Sequence, residues 1–171
     1  MRLKVVEGFW IVYTLLLSAC STPGLADEIK DHCLPGEEVY FSCLMKNEKK
    51  LSLCGSKKVL SYRYGYADNL ELVFPDAAPQ SMTRFKYNNY SRYGVDYYRV
   101  SFSNGQYNYR IYRDIDNELT SKMQAGIVIE NSSSTDKREI DLPCTERVSD
   151  KLNKLSEFLE CDQESALGCA D

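Results

Sequence analysis

The chain has 171 residues and a formal net charge of −4, with 27% charged and 43% apolar residues, a composition that suits one folded domain rather than a disordered tail. A sequence pI of about 5.2 argues against a nucleic-acid partner, which selects for a basic stripe, and the single histidine, His32, excludes reactions that need two imidazoles and most histidine-rich metal sites. Thirteen tyrosines and seven cysteines are the anomalies.

Residues 1–19 open with Met1-Arg2-Leu3-Lys4 and continue in an apolar stretch from Phe9 to Ala19, interrupted by Thr14 and Ser18. This is a signal-peptide layout, too short for a helix that must cover the roughly 20 residues of a bilayer core. Its end, Leu17-Ser18-Ala19-Cys20, resembles the lipobox of bacterial lipoproteins. The resemblance implies cleavage before Cys20, lipidation of that cysteine and, with Ser21 next, an outer-membrane anchor facing the periplasm. Several acyl chains hold far more firmly than one, at roughly 0.8 kcal/mol per buried CH₂. The alternative is ordinary cleavage after Gly24-Leu25-Ala26, which releases a soluble periplasmic protein. Residues 20–32, with Ser21-Thr22-Pro23-Gly24 and Asp27-Glu28, read as a tether. Asn89-Tyr90-Ser91 and Asn131-Ser132-Ser133 match a glycosylation sequon that matters only in a eukaryotic secretory pathway.

Residues 33–171 form a single β-rich domain, in which short apolar and aromatic runs alternate with turn signals. Strands are predicted over 38–45, 50–54, 59–65, 69–74, 84–88, 95–103, 106–113, 125–130 and 138–142. Asn104-Gly105 suits a type I′ hairpin turn and pairs Phe102 with Tyr107, Val100 with Tyr109 and Tyr98 with Ile111 on the core face. Arg99 then meets Arg110, and Tyr97 meets Tyr112, on the opposite face. Beyond Pro143-Cys144, Thr145 is placed to cap a helix over about 145–160, because Val148, Leu152, Leu155 and Leu159 recur at helical spacing. The expected fold is mainly β, an antiparallel barrel or sandwich with one C-terminal helix, stapled by disulfides.

Seven cysteines leave one over in an exported chain; assigning Cys20 to lipid leaves Cys33, Cys43, Cys54, Cys144, Cys161 and Cys169 for three disulfides. Fifteen connectivities are open to six cysteines. A hairpin turning at Glu48-Lys49 would set Cys43 opposite Cys54, the closeness of Cys161 and Cys169 favours a second bridge, and Cys33 with Cys144 is left. No Cys-x-x-Cys is present, so the expectation is a structural framework and not a redox or zinc site.

Arg99, Arg110, Tyr97 and Tyr112 are the first candidates for contact with a partner, since Arg and Tyr are enriched in binding hot spots. The bland alternative is that Asp96, Asp114 or Asp116 neutralises the two arginines within the domain. Tyr87, Tyr90 and Tyr93, in a stretch that reads as a loop, are the second candidates; Tyr62, Tyr64 and Tyr66 alternate along one strand and are assigned to the core. Asp114-x-Asp116-x-Glu118 lacks the glycine of a calcium loop, and a His32–Cys33 dyad needs Cys33 to be a free thiol. With no nucleophile elbow, phosphate loop or zincin motif, neither a catalytic site nor a cofactor is expected, nor a metal.

Tyr40-Phe41-Ser42-Cys43, Leu51-Ser52-Leu53-Cys54-Gly55-Ser56, Tyr62-Arg63-Tyr64-Gly65 and Leu70-Glu71-Leu72-Val73-Phe74-Pro75 resemble a group of exported proteins of Gram-negative bacteria over residues 38–75. The resemblance implies an envelope location. Small β-rich envelope lipoproteins that inhibit lysozyme are similar in size and export, although their Ser-Gly-x-x-Tyr segment is absent here. The expected function is therefore a non-enzymatic, lipid-anchored module that binds a protein, such as an inhibitor of a cell-wall hydrolase or an immunity protein against a toxin. The alternatives are a structural or assembly lipoprotein with a glycan contact and, third, a carboxylate hydrolase.

Overall fold

The computed structural model describes residues 31–56, 58–76, 81–133 and 138–169; the signal segment, the lipobox and most of the tether lie outside them. The strands are β1 (Glu38–Met45), β2 (Lys50–Ser56), β3 (Val59–Gly65), β4 (Leu70–Phe74), β5 (Lys86–Arg92), β6 (Val95–Asn104), β7 (Tyr107–Asp116), β8 (Thr120–Asn131), β9 (Glu139–Asp150) and β10 (Glu160–Cys161). All nine predicted strands are present. They join one sheet in the order β10-β5-β6-β7-β8-β9-β1-β2-β3-β4, antiparallel throughout except where β10 runs parallel to β5. Its ladder is open, with β10 and β4 at the two ends.

β9 makes the sheet bend. Residues 139–143 pair with β8, whereas Cys144–Asp150 pair with β1. Pro143 stands at the change of partner, where a residue with no N–H to donate interrupts one ladder at little cost. The two halves of the sheet, β1–β4 and β5–β8, bury a shared core. Tyr62 from β3 and Phe74 from β4 reach Phe102 from β6 at centroid distances of 5.0 and 4.5 Å, and Phe102 stacks on Tyr109 from β7 at 4.8 Å. Phe41, Leu51, Leu53, Leu60, Ile111 and Ile127 are fully buried around them. Of the 62–66 tyrosines, Tyr62 lies in this core and Tyr64 packs against it, but Tyr66 is 41% exposed.

The predicted C-terminal helix is not formed. Thr145 donates its hydroxyl to the Leu44 carbonyl (2.9 Å) instead of capping a helix, and Val148 pairs with Cys43. The chain is extended to Asp150 and only then forms a 3-10 turn at Leu152–Glu157. Leu152, Leu155 and Leu159 are buried as expected; the disulfide from Cys144 to β1 holds the preceding segment in the sheet.

Two registers also differ from expectation. In the β6–β7 hairpin Asn104 pairs with Tyr107, Phe102 with Tyr109 and Val100 with Ile111. Gly105, at φ +60°, occupies the first of two loop positions, the glycine requirement of a type II′ turn rather than I′. The shift of two residues preserves both faces but removes the Arg99–Arg110 pairing; Arg99 faces Tyr112, and Arg110 faces Ser101. In the β1–β2 hairpin Cys43 faces Leu51, because the turn is held by Met45 and Lys49 (2.8 Å) and a bulge between Val39 and Phe41 moves Cys54 opposite Val39.

The disulfides are Cys33–Cys54, Cys43–Cys144 and Cys161–Cys169. The third is as predicted; the first two exchange the expected partners, since β9 lies beside β1 and the segment before β1 crosses over β2. Three disulfides belong to an oxidising compartment outside the cytoplasm, and among the described residues no helix is long and apolar enough to cross a membrane.

Candidate functional site

Alternation along the strands gives the second half of the sheet a polar outer face. Asn88, Arg99, Tyr112 and Gly126 form one row across β5 to β8, and Lys86, Ser101, Arg110 and Val128 the next. Arg99 is clasped there. Its guanidinium lies 5.7 Å from the Tyr97 ring centroid and 5.5 Å from that of Tyr112, and both terminal nitrogens donate to Asp114. Arg110 donates to Glu139 across β8 (3.0 Å). Internal neutralisation, the bland expectation, therefore holds for both arginines: by Asp114 as foreseen for Arg99, and by Glu139 for Arg110.

The flanking tyrosines are fixed by carboxylates. Tyr97 donates its hydroxyl to Asp116, and this bond pushes the phenol's pKa up and draws the Asp116 carboxyl below its usual value, with help from the Leu119 and Glu118 N–H groups. Tyr112 donates to Asp141 (3.0 Å); burial, then the Asp141 carboxylate, keeps its phenol protonated well above the ordinary range. Tyr97, Arg99 and Tyr112 are thus locked in one arrangement from three sides.

Gly126 makes room for it. A Cβ there would stand 2.8 Å from the Tyr112 hydroxyl, 2.6 Å from the Leu142 carbonyl oxygen and 2.9 Å from the Pro143 Cα. It lies at the start of the predicted 125–130 strand. Gly126→Ala is expected to expel the Tyr112 ring from its place beside Arg99 and to lower the thermal midpoint by several degrees, as about 1–3 kcal/mol of overpacking does; an unchanged midpoint and unchanged Tyr112 ring resonances would remove the steric role.

The strand expected over 84–88 extends through the stretch that reads as a loop, so Tyr90 as well as Tyr87 belongs to β5. Tyr87 packs on the core. Tyr90 is 39% exposed, with its ring 6.2 Å from Tyr97 on the outer face, and Tyr93 is 100% exposed on the turn into β6. That turn is braced to the β7–β8 turn: Arg92 makes two 2.9 Å bonds to Glu118, and the Asn117 N–H donates to the Gly94 carbonyl. The Arg92 guanidinium beside it lowers the Glu118 carboxyl pKa. Asp114, Asp116 and Glu118 consequently each serve a different neighbour and do not converge as calcium ligands would.

At the other end of the molecule, His32 Nε2 lies 3.1 Å from the Gly65 carbonyl oxygen, and Cys33 is bridged to Cys54, so no cysteine-histidine dyad forms. The ligand atoms of Cys33, Cys54 and Glu37 lie within 4.8 Å of one another. The sulfurs are joined to each other, however, and Glu37 is clamped by both terminal nitrogens of Arg63 at 2.5 and 2.8 Å. That clamp holds the Glu37 carboxyl below its usual pKa.

One charged site was missed in the sequence. Arg113, 5% exposed, lies 4.8 Å from the Tyr98 ring centroid and donates to Asp96 (2.5 Å) and Asp150 (2.9 Å). The alternation of Tyr109, Ile111 and Arg113 was the available signal, because it carries the core face of β7 into a charged residue.

Comparison with known proteins returns no matching family model, curated protein or solved structure.

Proposed function

We propose that the protein is a non-enzymatic recognition module of a Gram-negative envelope, lipid-anchored at Cys20 in the outer membrane, that binds a protein partner through the outer face of β5–β8. In this reading the two halves of the sheet form a sandwich whose second half displays the site. The observation that carries it is the fixed Tyr97–Arg99–Tyr112 stack beside the exposed Tyr90 and Tyr93. Side chains already ordered by Asp114, Asp116 and Asp141 lose little freedom on binding, so more of their contact energy appears as affinity. Loss of Arg2, Lys4 and Glu7 with the leader takes the net charge from −4 to −5, which suits a basic partner such as a cell-wall hydrolase or a delivered toxin.

A benzophenone amino acid at position 93, incorporated in cells, tests the face. A discrete adduct is expected; with its partner purified, Arg99→Ala combined with Tyr112→Ala should weaken binding about tenfold or more. Undiminished affinity in that variant would remove the face from the proposal. Palmitate labelling should vanish in Cys20→Ser, and persistent labelling would refute the anchor.

A further inference from the structure

The first described residues enter the domain beside the β3–β4 turn. His32 Nε2 lies against the Gly65 carbonyl oxygen, and Leu34 and Pro35 line one recess with Ala67 and Leu70. Both banks of it are fixed. The Leu34 N–H donates to the Glu37 carboxylate (2.7 Å) and its carbonyl accepts the Glu37 N–H (3.0 Å), while Tyr66 and Asn69 exchange backbone bonds of 2.9 and 3.3 Å. Leu34 is 59% exposed, Leu70 42% and Tyr66 41%. Three large apolar side chains thus stand in water on well-braced turns at one end of the molecule.

Charge does not single out this end. Glu37 is held by Arg63, Glu71 by Lys49 (2.8 Å), and Asp31 accepts the Cys33 N–H (2.8 Å), which leaves Asp68 in solvent on the turn. Apolar side chains and a tyrosine suit the boundary between lipid headgroups and acyl chains, where the ring is buried and its hydroxyl stays wet. Position supplies the lipid. Even fully extended, the chain from Cys20 to Asp31 reaches at most about 40 Å, little more than the width of a domain whose radius of gyration is about 14 Å. An anchor at Cys20 therefore holds this end close to the bilayer, and tethering lets a contact form that is too weak to recruit a free protein. Tyr93 and Leu119 are more exposed still, Leu119 at 83%, but no anchor enters beside them.

We propose that this end of the domain lies on the bilayer that holds Cys20, with Leu34, Tyr66 and Leu70 seated in its interfacial layer, a reading that builds on the lipid anchor proposed above. To test it, the full mature chain is coupled through its Cys20 thiol, the six other cysteines being bridged, to a maleimide lipid in phosphatidylcholine nanodiscs that also carry a gadolinium lipid. Leucine methyl NMR then reads proximity to the bilayer. Leu34 and Leu70 are expected to broaden several-fold more than Leu119, and to do so equally in high salt, which screens charges but not apolar contact. Leu34→Ser combined with Tyr66→Ser should reduce the broadening of Leu70 several-fold, with the methyl spectrum away from nanodiscs showing the fold intact. Broadening of Leu119 as strong as that of Leu70, loss of the difference in salt, or a double variant in which Leu70 broadens as in wild type overturns the docking. Because the coupling is chemical, palmitate labelling that persists in Cys20→Ser would refute the cellular anchor and leave this measurement standing, so the two readings fail separately.

Discussion

Arg113→Ala is expected to destabilise the fold by about 3–5 kcal/mol, the loss that follows when one partner of a buried ion pair is removed. Arg113 bonds Asp96 on β6 and Asp150 on β9 from a position 5% exposed on β7, so alanine strands two carboxylates and leaves a gap beneath the Tyr98 ring. Against the 5–15 kcal/mol typical of a whole domain, this is a large fraction. The check is the denaturant midpoint of unfolding. Most of the penalty comes from the stranded charges, so Asp150→Asn should cost much less in the Arg113→Ala background than in wild type. Additive losses would mean that Arg113 and Asp150 are not coupled.

Opening the Cys43–Cys144 bridge by a double alanine substitution should cost a comparable amount, about 3–5 kcal/mol in the chain-entropy description, because the bridge spans 101 residues. The same substitution at Cys161 and Cys169, 8 apart, should cost less, since a shorter loop constrains the unfolded chain less. Thermal unfolding of the two double variants gives the order directly; equal midpoints would show that strain or residual structure outweighs loop length.

The parts of the fold legible in the sequence are those set by neighbours along the chain. Every predicted strand forms, since alternation and turn residues act over a few positions. The hidden parts depend on distant partners. Val148, Leu152, Leu155 and Leu159 satisfy a helix pattern, yet the sheet and a disulfide from β1 claim the first of them. The Cys43–Cys54 pairing failed on a bulge and a longer turn, each a matter of one or two residues. In the candidate site, the outer-face placement of Arg99, Tyr97 and Tyr112 followed from alternation, and survived a register shift because that shift is even. Glu139 and Asp141 could not be foreseen as their partners, since these reach the site from a strand whose place in the sheet is a tertiary fact. Arg113 could have been.

β1 lies in the middle of the sheet, between β2, its neighbour in sequence, and β9, a hundred positions further on. A polypeptide delivered from its amino end must therefore wait, with one flank of β1 unzipped and the Cys43 thiol unsatisfied, until nearly all of it has arrived. During that interval Cys43 has Cys33 and Cys54 as wrong suitors close at hand. The Cys43–Cys144 bridge can close only after β9 has been delivered, whereas Cys33–Cys54 can close as soon as β2 is in place.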